Sequence, residues 1–193
     1  MLSEIFYRYL QYDSIYDKIT LYKEWRRIAI KHFHIVLVEP EIPQNTGNIS
    51  RTCACTGASL HLVKPMMFSI DEKHVRRAGL DYWDKLDLHI HENLDSFLQY
   101  AQGFPMRFAS TKGQKNYTQV TYPDNCFILF GKESAGLPES LLHNRYEDCM
   151  RIPMRQELRS LNLSNAAAIV LYEALRQDMF AGLEQTGHLR NYS

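Results

Sequence analysis

The 193-residue sequence predicts an α/β fold, with a mostly parallel β-sheet and helices on both of its faces. Three observations indicate this class. Short runs of apolar and β-branched residues recur along the chain and have the length of buried strands. Segments with helical spacing separate these runs, and such alternation is typical of parallel sheets. A hydrophobic fraction of 45% provides enough apolar side chains for a core of this kind.

The first predicted strand spans 34–38, and the prolines that follow it, Pro43 among them, are expected to exclude helix there. A helix is predicted next, at about 46–58, with Asn45 as its N-cap and Gly57 near its C-terminal end. Further strands are predicted at 60–63, 87–90, 106–109, 126–130 and 149–152. Further helices are predicted at 71–79, 93–102, 138–144 and 164–180.

The last of these helices follows a polar loop and is expected to end before Gly182. Its spacing places six apolar residues on one buried stripe: Leu163, Ala167, Val170, Leu171, Ala174 and Leu175. In the helix at 46–58, the same reasoning turns Ile49 and Cys53 toward the core and Arg51 toward another face. The sequence therefore predicts which side of these two helices packs on the sheet.

Residues 1–31 differ from the rest, because they are rich in Tyr and charge and contain neither Gly nor Pro. Apolar residues in this segment recur at steps of three and four, which predicts amphipathic helix packed on the domain or on a partner subunit. An aromatic arm that stacks on RNA and a disordered segment are the alternatives. We therefore divide the chain into a helical extension at 1–31, one domain at 32–184 and a tail at 185–193.

The charge balance limits the classes of function. Lys and Arg number 22, as do Asp and Glu, so a protein that coats nucleic acid through its overall charge is excluded. The four cysteines lack the spacing of a zinc site, which predicts free thiols in a reducing compartment and no metal. No run of about 20 apolar residues and no signal-peptide pattern occurs, so we expect a cytoplasmic protein without a membrane span.

Polar or small residues follow three predicted strands, after Ala109, after Phe130 and after Ile152. Ligands of open α/β sheets bind beyond the carboxyl ends of the strands, so neighbouring strands would combine these ends into one pocket. Gly131 is expected to leave space for the ligand there. The chain has no Walker loop, no dinucleotide fingerprint and no nucleophile elbow around Ser134 or Ser164.

Three stretches, in this order, resemble the SPOUT superfamily of RNA methyltransferases in its TrmH-like branch. The family's motifs match NTGNISR at 45–51, LFGKESAGL at 129–137, and IPM at 152–154 followed by SLNLSNAA at 160–167. EPEIPQ at 39–44 and RRAGLDY at 76–82 are similar to the TrmL or YibK subgroup, which methylates the wobble nucleotide of tRNA. Lys132 and Ser134 depart from that subgroup, which usually has Pro and Thr at these positions.

The resemblance implies a C-terminal segment tied in a deep trefoil knot and a homodimer with its active site at the subunit interface. It implies S-adenosylmethionine as methyl donor, without a metal. The implied acceptor is a ribose 2′-hydroxyl in the tRNA anticodon stem-loop, at a wobble cytidine or 5-carboxymethylaminomethyluridine. The alternatives are another tRNA or rRNA nucleotide, or a non-catalytic RNA-binding relative.

Site residues transfer from the family position by position. The cofactor residues implied are Ala109, Gly131, Ile152 and Ser160, and the catalytic residues implied are Arg51, Asn45, Glu133, Ser160 and Asn162. Arg51 is also implied to bind the substrate. Tyr172 is expected to bind the substrate as well, with a place within the subunit interface as the alternative. Because arginine stays protonated in proteins, we expect Arg51 to hold a phosphate and stabilise oxyanion charge rather than to act as a base.

Overall fold

The structure, a computed structural model, describes residues 30–68 and 83–189, together with Ser14. The chain divides into two compact units, of which the larger is His32–Gln177 and the smaller contains the residues on either side of it. The predicted helix at 71–79 and almost all of the predicted extension at 1–31 lie outside the described residues. The predicted limits of the domain, the extension and the tail remain predictions.

Strands and helices alternate along the described part of the larger unit, as the sequence predicts. In chain order they are β1 (Phe33–Val38), α1 (Pro43–Thr56), β2 (Ser59–Val63), β3 (Leu88–His91), α2 (Leu94–Tyr100), β4 (Met106–Ala109), β5 (Lys115–Asn116), β6 (Cys126–Phe130), α3 (Glu139–Asn144), β7 (Cys149–Arg151) and α4 (Leu163–Gln177). Short 3₁₀ turns occupy Trp83–Lys85 and Tyr146–Asp148.

The strands form one seven-stranded sheet in the order β3-β2-β1-β6-β4-β7-β5, and each pair of neighbouring strands is parallel. The central strands β1 and β6 are almost completely buried, which explains their continuous apolar sequences. Because β4 lies between β6 and β7, the carboxyl ends of these three strands are adjacent. The three strands are therefore neighbours, which is the condition for their ends to form one pocket.

The helices cover the two faces of the sheet in pairs. Helices α1 and α4 pack on each other and on β2 and β1. On the other face, Phe97 of α2 and Leu142 of α3 join a buried cluster with Val36, Val38 and Phe127. The stripe predicted for α4 is confirmed, since each of its six apolar residues is buried. The predicted α/β architecture is therefore confirmed for the described residues.

The start of α1 differs from the prediction. The helix begins at Pro43 with Ile42 as N-cap, so Asn45 lies inside the first turn and not at the cap. Proline is compatible with the first helical position because the amide hydrogen it lacks would have no partner within the helix. The expectation that Pro43 excludes helix was therefore wrong, whereas Gly57 ends the helix at a φ of 74°.

Two further details were missed. Strand β5 has two residues, too few for a pattern, and only its pairing with β7 defines it. Helix α4 ends at Gln177 and not at about 180, because Met179 and Phe180 adopt positive φ angles of 54° and 52°.

A chain of histidines crosses the face of the sheet that α2 covers. His34 Nδ1 lies 3.1 Å from His61 Nε2, and His61 Nδ1 lies 3.0 Å from His91 Nε2. The His89 ring stacks on the His61 ring at 4.4 Å between centroids. His61 is fully buried, and its burial, followed by the neighbouring His89, His34 and His91, lowers its pKa to about 3. Hydrogen bonds therefore link His34, His61 and His91 across three strands, and the buried His61 is neutral.

Candidate active site

A cavity of about 610 Å³ opens beyond the carboxyl ends of β4, β6 and β7. The four residues predicted to hold a cofactor, Ala109, Gly131, Ile152 and Ser160, all line it. Its volume falls within the range of about 300–1,000 Å³ that is usual for small-molecule sites. Apolar side chains such as Met150, Leu137 and Val170 share the wall with polar groups and loop backbone. The cavity therefore has both the size and the mixed surface needed for a nucleoside-like ligand.

A chain of hydrogen bonds joins the three predicted motifs beside this cavity. Asn45 donates from Nδ2 to Glu133 Oε1 over 2.8 Å. Asn162 donates from Nδ2 to Asn45 Oδ1 over 2.9 Å. Asn162 Oδ1 in turn accepts from the amide and the hydroxyl of Ser164, at 2.9 and 2.7 Å. Each of the three motifs thus contributes one member to a single network.

The direction of this network is fixed by chemistry. An ionised carboxylate only accepts hydrogen bonds, so Glu133 requires the amide nitrogen of Asn45 on its side. The carbonyl oxygen of Asn45 must then face Asn162 and receive its amide hydrogen. This leaves the carbonyl oxygen of Asn162 for the first turn of α4, where it accepts from Ser164 and Asn165. Asn162 therefore caps α4 and ties it to α1.

Four residues outside the predicted set reinforce the same wall. Ser134 donates from its amide to Glu41 Oε2 over 2.9 Å and from its hydroxyl to Glu41 Oε1 over 2.8 Å, which lowers the pKa of the Glu41 carboxyl. Lys132 Nζ lies 2.9 Å from Glu39 Oε2, and this carboxylate raises the pKa of Lys132. Both pairs lie in the stretches EPEIPQ and LFGKESAGL, which were recognisable in the sequence, but the sequence did not show that the two stretches meet.

The role expected of Gly131 needs correction. A Cβ atom at Gly131 would lie 2.0 Å from the carbonyl carbon of Gly136 and 2.1 Å from the amide nitrogen of Leu137. The missing side chain therefore makes room for the loop's own backbone and not for a ligand. By contrast, a Cβ at Gly47 would meet no atom within 4 Å. Gly131 still lines the cavity through its backbone.

Arg51 and Tyr172 lie elsewhere. Both side chains are exposed, and neither lines the cavity. Arg51 belongs to an exposed stripe of α1 with Asn48 and Cys55. Tyr172, 48% exposed, belongs to a stripe of α4 with Ile169, which is 37% exposed. Because α1 and α4 pack on each other, these stripes occupy neighbouring helices.

Of the four cysteines only Cys55 is exposed, and the other three are buried. Burial raises the pKa of the Cys53 thiol to about 12, which makes it a poor nucleophile. Within residues 30–68 and 83–189, no group of three His, Cys, Asp or Glu side chains is arranged to hold a metal ion.

No helix within residues 30–68 and 83–189 is long and apolar enough to span a membrane.

Comparison with known proteins agrees with this arrangement. A model of the SpoU rRNA Methylase family matches residues 32–172. A protein of Listeria innocua, provisionally named a tRNA (cytidine(34)-2'-O)-methyltransferase, is 52% identical over 155 residues, which are 79% of this chain and 92% of the relative. The family match at 32–172 includes the strands β1 to β7, the residues that line the cavity and most of α4.

Two solved structures share the fold. One, described as giving insights into the 2-OH methylation of C/U34 on tRNA, has a TM-score of 0.72 and 40% identity, over 78% of this chain and 98% of that chain. The other is the SpoU methyltransferase AviRb of Streptomyces viridochromogenes in complex with AdoMet. It has a TM-score of 0.66 and 26% identity, over 80% of this chain and 64% of that chain.

Proposed function

The chain belongs to the SpoU rRNA methylase family, and from this premise we propose that it methylates the ribose 2′-hydroxyl of the wobble nucleotide of tRNA. The proposed acceptor is cytidine or 5-carboxymethylaminomethyluridine in the anticodon stem-loop. A relative with 52% identity bears a name for this reaction, and a structure with 40% identity concerns C/U34 of tRNA. The observation that carries the proposal is the Glu133–Asn45–Asn162 network, which joins the three motifs around one cavity.

The cavity suits S-adenosylmethionine as methyl donor. When bound, this cofactor supplies a methyl group that the sulfonium already makes electrophilic. The loop backbone near Ala109, Gly131 and Ile152 offers hydrogen-bonding groups, and Leu137, Met150 and Val170 offer an apolar surface. A related AdoMet complex has the same fold, with 26% identity. The protein's task is then to hold the donor and orient the acceptor, which removes the entropic cost of bringing them together.

Arg51 is the residue we assign to the RNA. A guanidinium group presents its donors in a planar fork that binds phosphate in a bidentate manner. We assign it the binding of a backbone phosphate and the stabilisation of the oxyanion that develops at the 2′-oxygen. Tyr172 is assigned to the same substrate surface, and Ser160 and Asn162 to the organisation of the cavity.

We further propose that the protein is a homodimer formed through α1 and α4. The exposed apolar side chain of Ile169 supports this contact surface, since dimer formation would remove it from water. Because Arg51 does not line the cavity of its own chain, it would serve the cavity of the second copy. The deep trefoil knot implied by the resemblance also belongs to this proposal, and the tRNA substrate favours a cytoplasmic location.

Nucleoside mass spectrometry tests the proposed reaction directly. Purified protein, S-adenosylmethionine and unmodified tRNA should yield a 2′-O-methyl nucleotide at the wobble position. A 2′-O-methyl group at a different tRNA position, or in rRNA only, would show that the reaction is correct but that the acceptor nucleotide is a different one. Binding of tRNA without any transfer would indicate a non-catalytic relative.

A further inference from the structure

The 131–137 loop is internally tight. The Gly136 amide donates to the Lys132 carbonyl over 2.8 Å, and Gly131 packs directly against the backbone of Gly136 and Leu137. Such a loop moves as one body, because its backbone has no room to rearrange. The position of the loop relative to the rest of the cavity wall therefore depends on the few hydrogen bonds that join the loop to other segments.

Those bonds lead to the segment between β1 and α1 and to Asn45 in the first turn of α1. Glu133 accepts from the amides of Glu41 and Ile42, at 2.9 and 3.3 Å. The two carboxylate oxygens of Glu41 in turn accept hydrogen bonds from the amide and the hydroxyl of Ser134. Two adjacent residues of the loop and Glu41 thus exchange hydrogen bonds in both directions. Ile42, next to Glu41, lines the cavity.

We propose that Glu41 is a positioning residue, which holds the loop at the distance from Ile42 and Asn45 that cofactor binding requires. This inference rests on the proposed function only for the identity of the cofactor. Glu41 is exposed and contributes no side chain to the core, so its removal should affect the loop and leave the fold intact. Hydrogen bonding, more than charge, performs this role, since both of its partners are groups of Ser134.

Three substitutions test the proposal. Glu41→Ala removes both acceptor oxygens. Glu41→Gln keeps one carbonyl oxygen, which can accept from the Ser134 amide, and its side-chain NH2 group can donate to the Ser134 hydroxyl oxygen. Glu92→Ala is the matched control, because Glu92 is an exposed glutamate that pairs with Lys64 after β3, away from the residues of the cavity. Each full-length variant is examined by calorimetry with S-adenosylmethionine, by hydrogen exchange of the Ser134 amide and by urea unfolding.

We expect Glu41→Ala to weaken cofactor binding about tenfold, the effect of losing one or two net hydrogen bonds. The Ser134 amide should exchange faster in this variant, with the urea midpoint unchanged. Glu41→Gln should restore most of the affinity, and Glu92→Ala should match the wild type.

Unchanged affinity or unchanged exchange in Glu41→Ala would overturn the proposal. So would a loss of affinity that Glu41→Gln fails to restore, or one that accompanies an equal loss of stability. Transfer to tRNA is measured separately. Wild-type protein that binds the cofactor but leaves tRNA unmethylated would contradict the proposed function, while the affinity comparison would still decide the role of Glu41.

Discussion

Acidification is expected to destabilise this fold through His61. The side chain is fully buried in β2, and its pKa is lowered from 6.5 to about 3 by burial and by the neighbouring histidines. At pH values between these two limits, the unfolded chain binds a proton at this position and the folded chain does not. The contribution of His61 to stability is therefore complete above about pH 6.5 and is lost progressively as the pH falls toward 3.

The magnitude follows from the two pKa values. At about pH 5, roughly 1.5 units below the unfolded pKa, the loss is about 2 kcal/mol, since each unit corresponds to about 1.36 kcal/mol. His34 adds to the effect in the same direction, because burial and the neighbouring His32 lower its pKa to about 4. A loss of this size is a large part of the stability of an ordinary domain.

Urea unfolding at about pH 7.5 and about pH 5 measures this loss. The variant His61→Gln cannot titrate at this position, so its stability should fall by about 2 kcal/mol less than that of the wild type between the two pH values. His143→Gln is the control, because His143 is exposed on α3. An equal fall in the wild type and in His61→Gln would refute the reasoning.

Three further predictions concern residues of the candidate active site. Gly131→Ala should abolish cofactor binding measured by calorimetry, because its Cβ would overlap the loop backbone; Gly47→Ala, with open space around it, should bind normally. Arg51→Ala should lower methyl transfer to tRNA at least about 100-fold, the usual scale for losing transition-state stabilisation, with cofactor affinity nearly unchanged. Asn162→Asp should keep the cap of α4 and the urea midpoint but lose methyl transfer, since a carboxylate cannot donate to Asn45.

For each of these three predictions, a specific result would contradict the reasoning. Normal affinity in Gly131→Ala would show that the loop tolerates displacement, and equal loss of transfer and cofactor affinity in Arg51→Ala would place this residue at the cofactor. Full activity of Asn162→Asp would show that the link to Asn45 is dispensable. Mixing Arg51→Ala with Gly131→Ala chains should restore activity if Arg51 serves the second copy, because one site of the mixed dimer then keeps both functions.

Much of the fold could be predicted from local patterns. The runs at 106–109 and 126–130 match their strands residue for residue. The run at 126–130 is continuously apolar, as expected of a buried strand in a parallel sheet. Helix ends were less predictable. Pro43 was interpreted as a barrier although it occupies the first position of α1, and α4 ends where two residues adopt positive φ, which no residue type in that stretch required.

The candidate site was predictable to the extent that its residues lie within recognisable stretches. Ala109, Gly131, Ile152 and Ser160 line one cavity, as expected. Glu41 was missed, because a glutamate before a helix is usually a solvated side chain. Its partner Ser134 is 93 residues away along the chain. The histidine chain was missed for the same reason, since it joins residues of three different strands.

The sequence by itself determined most of the local elements, the strand ends that carry polar groups and the buried sides of α1 and α4. These follow from spacing and residue type, which act over a few positions of the chain. Only the tertiary structure decided that Asn45 contacts Glu133, 88 residues away, and Asn162, 117 residues away. The order of the strands brings these segments together, and the acceptor-only carboxylate of Glu133 then fixes which atom of each amide faces its neighbour.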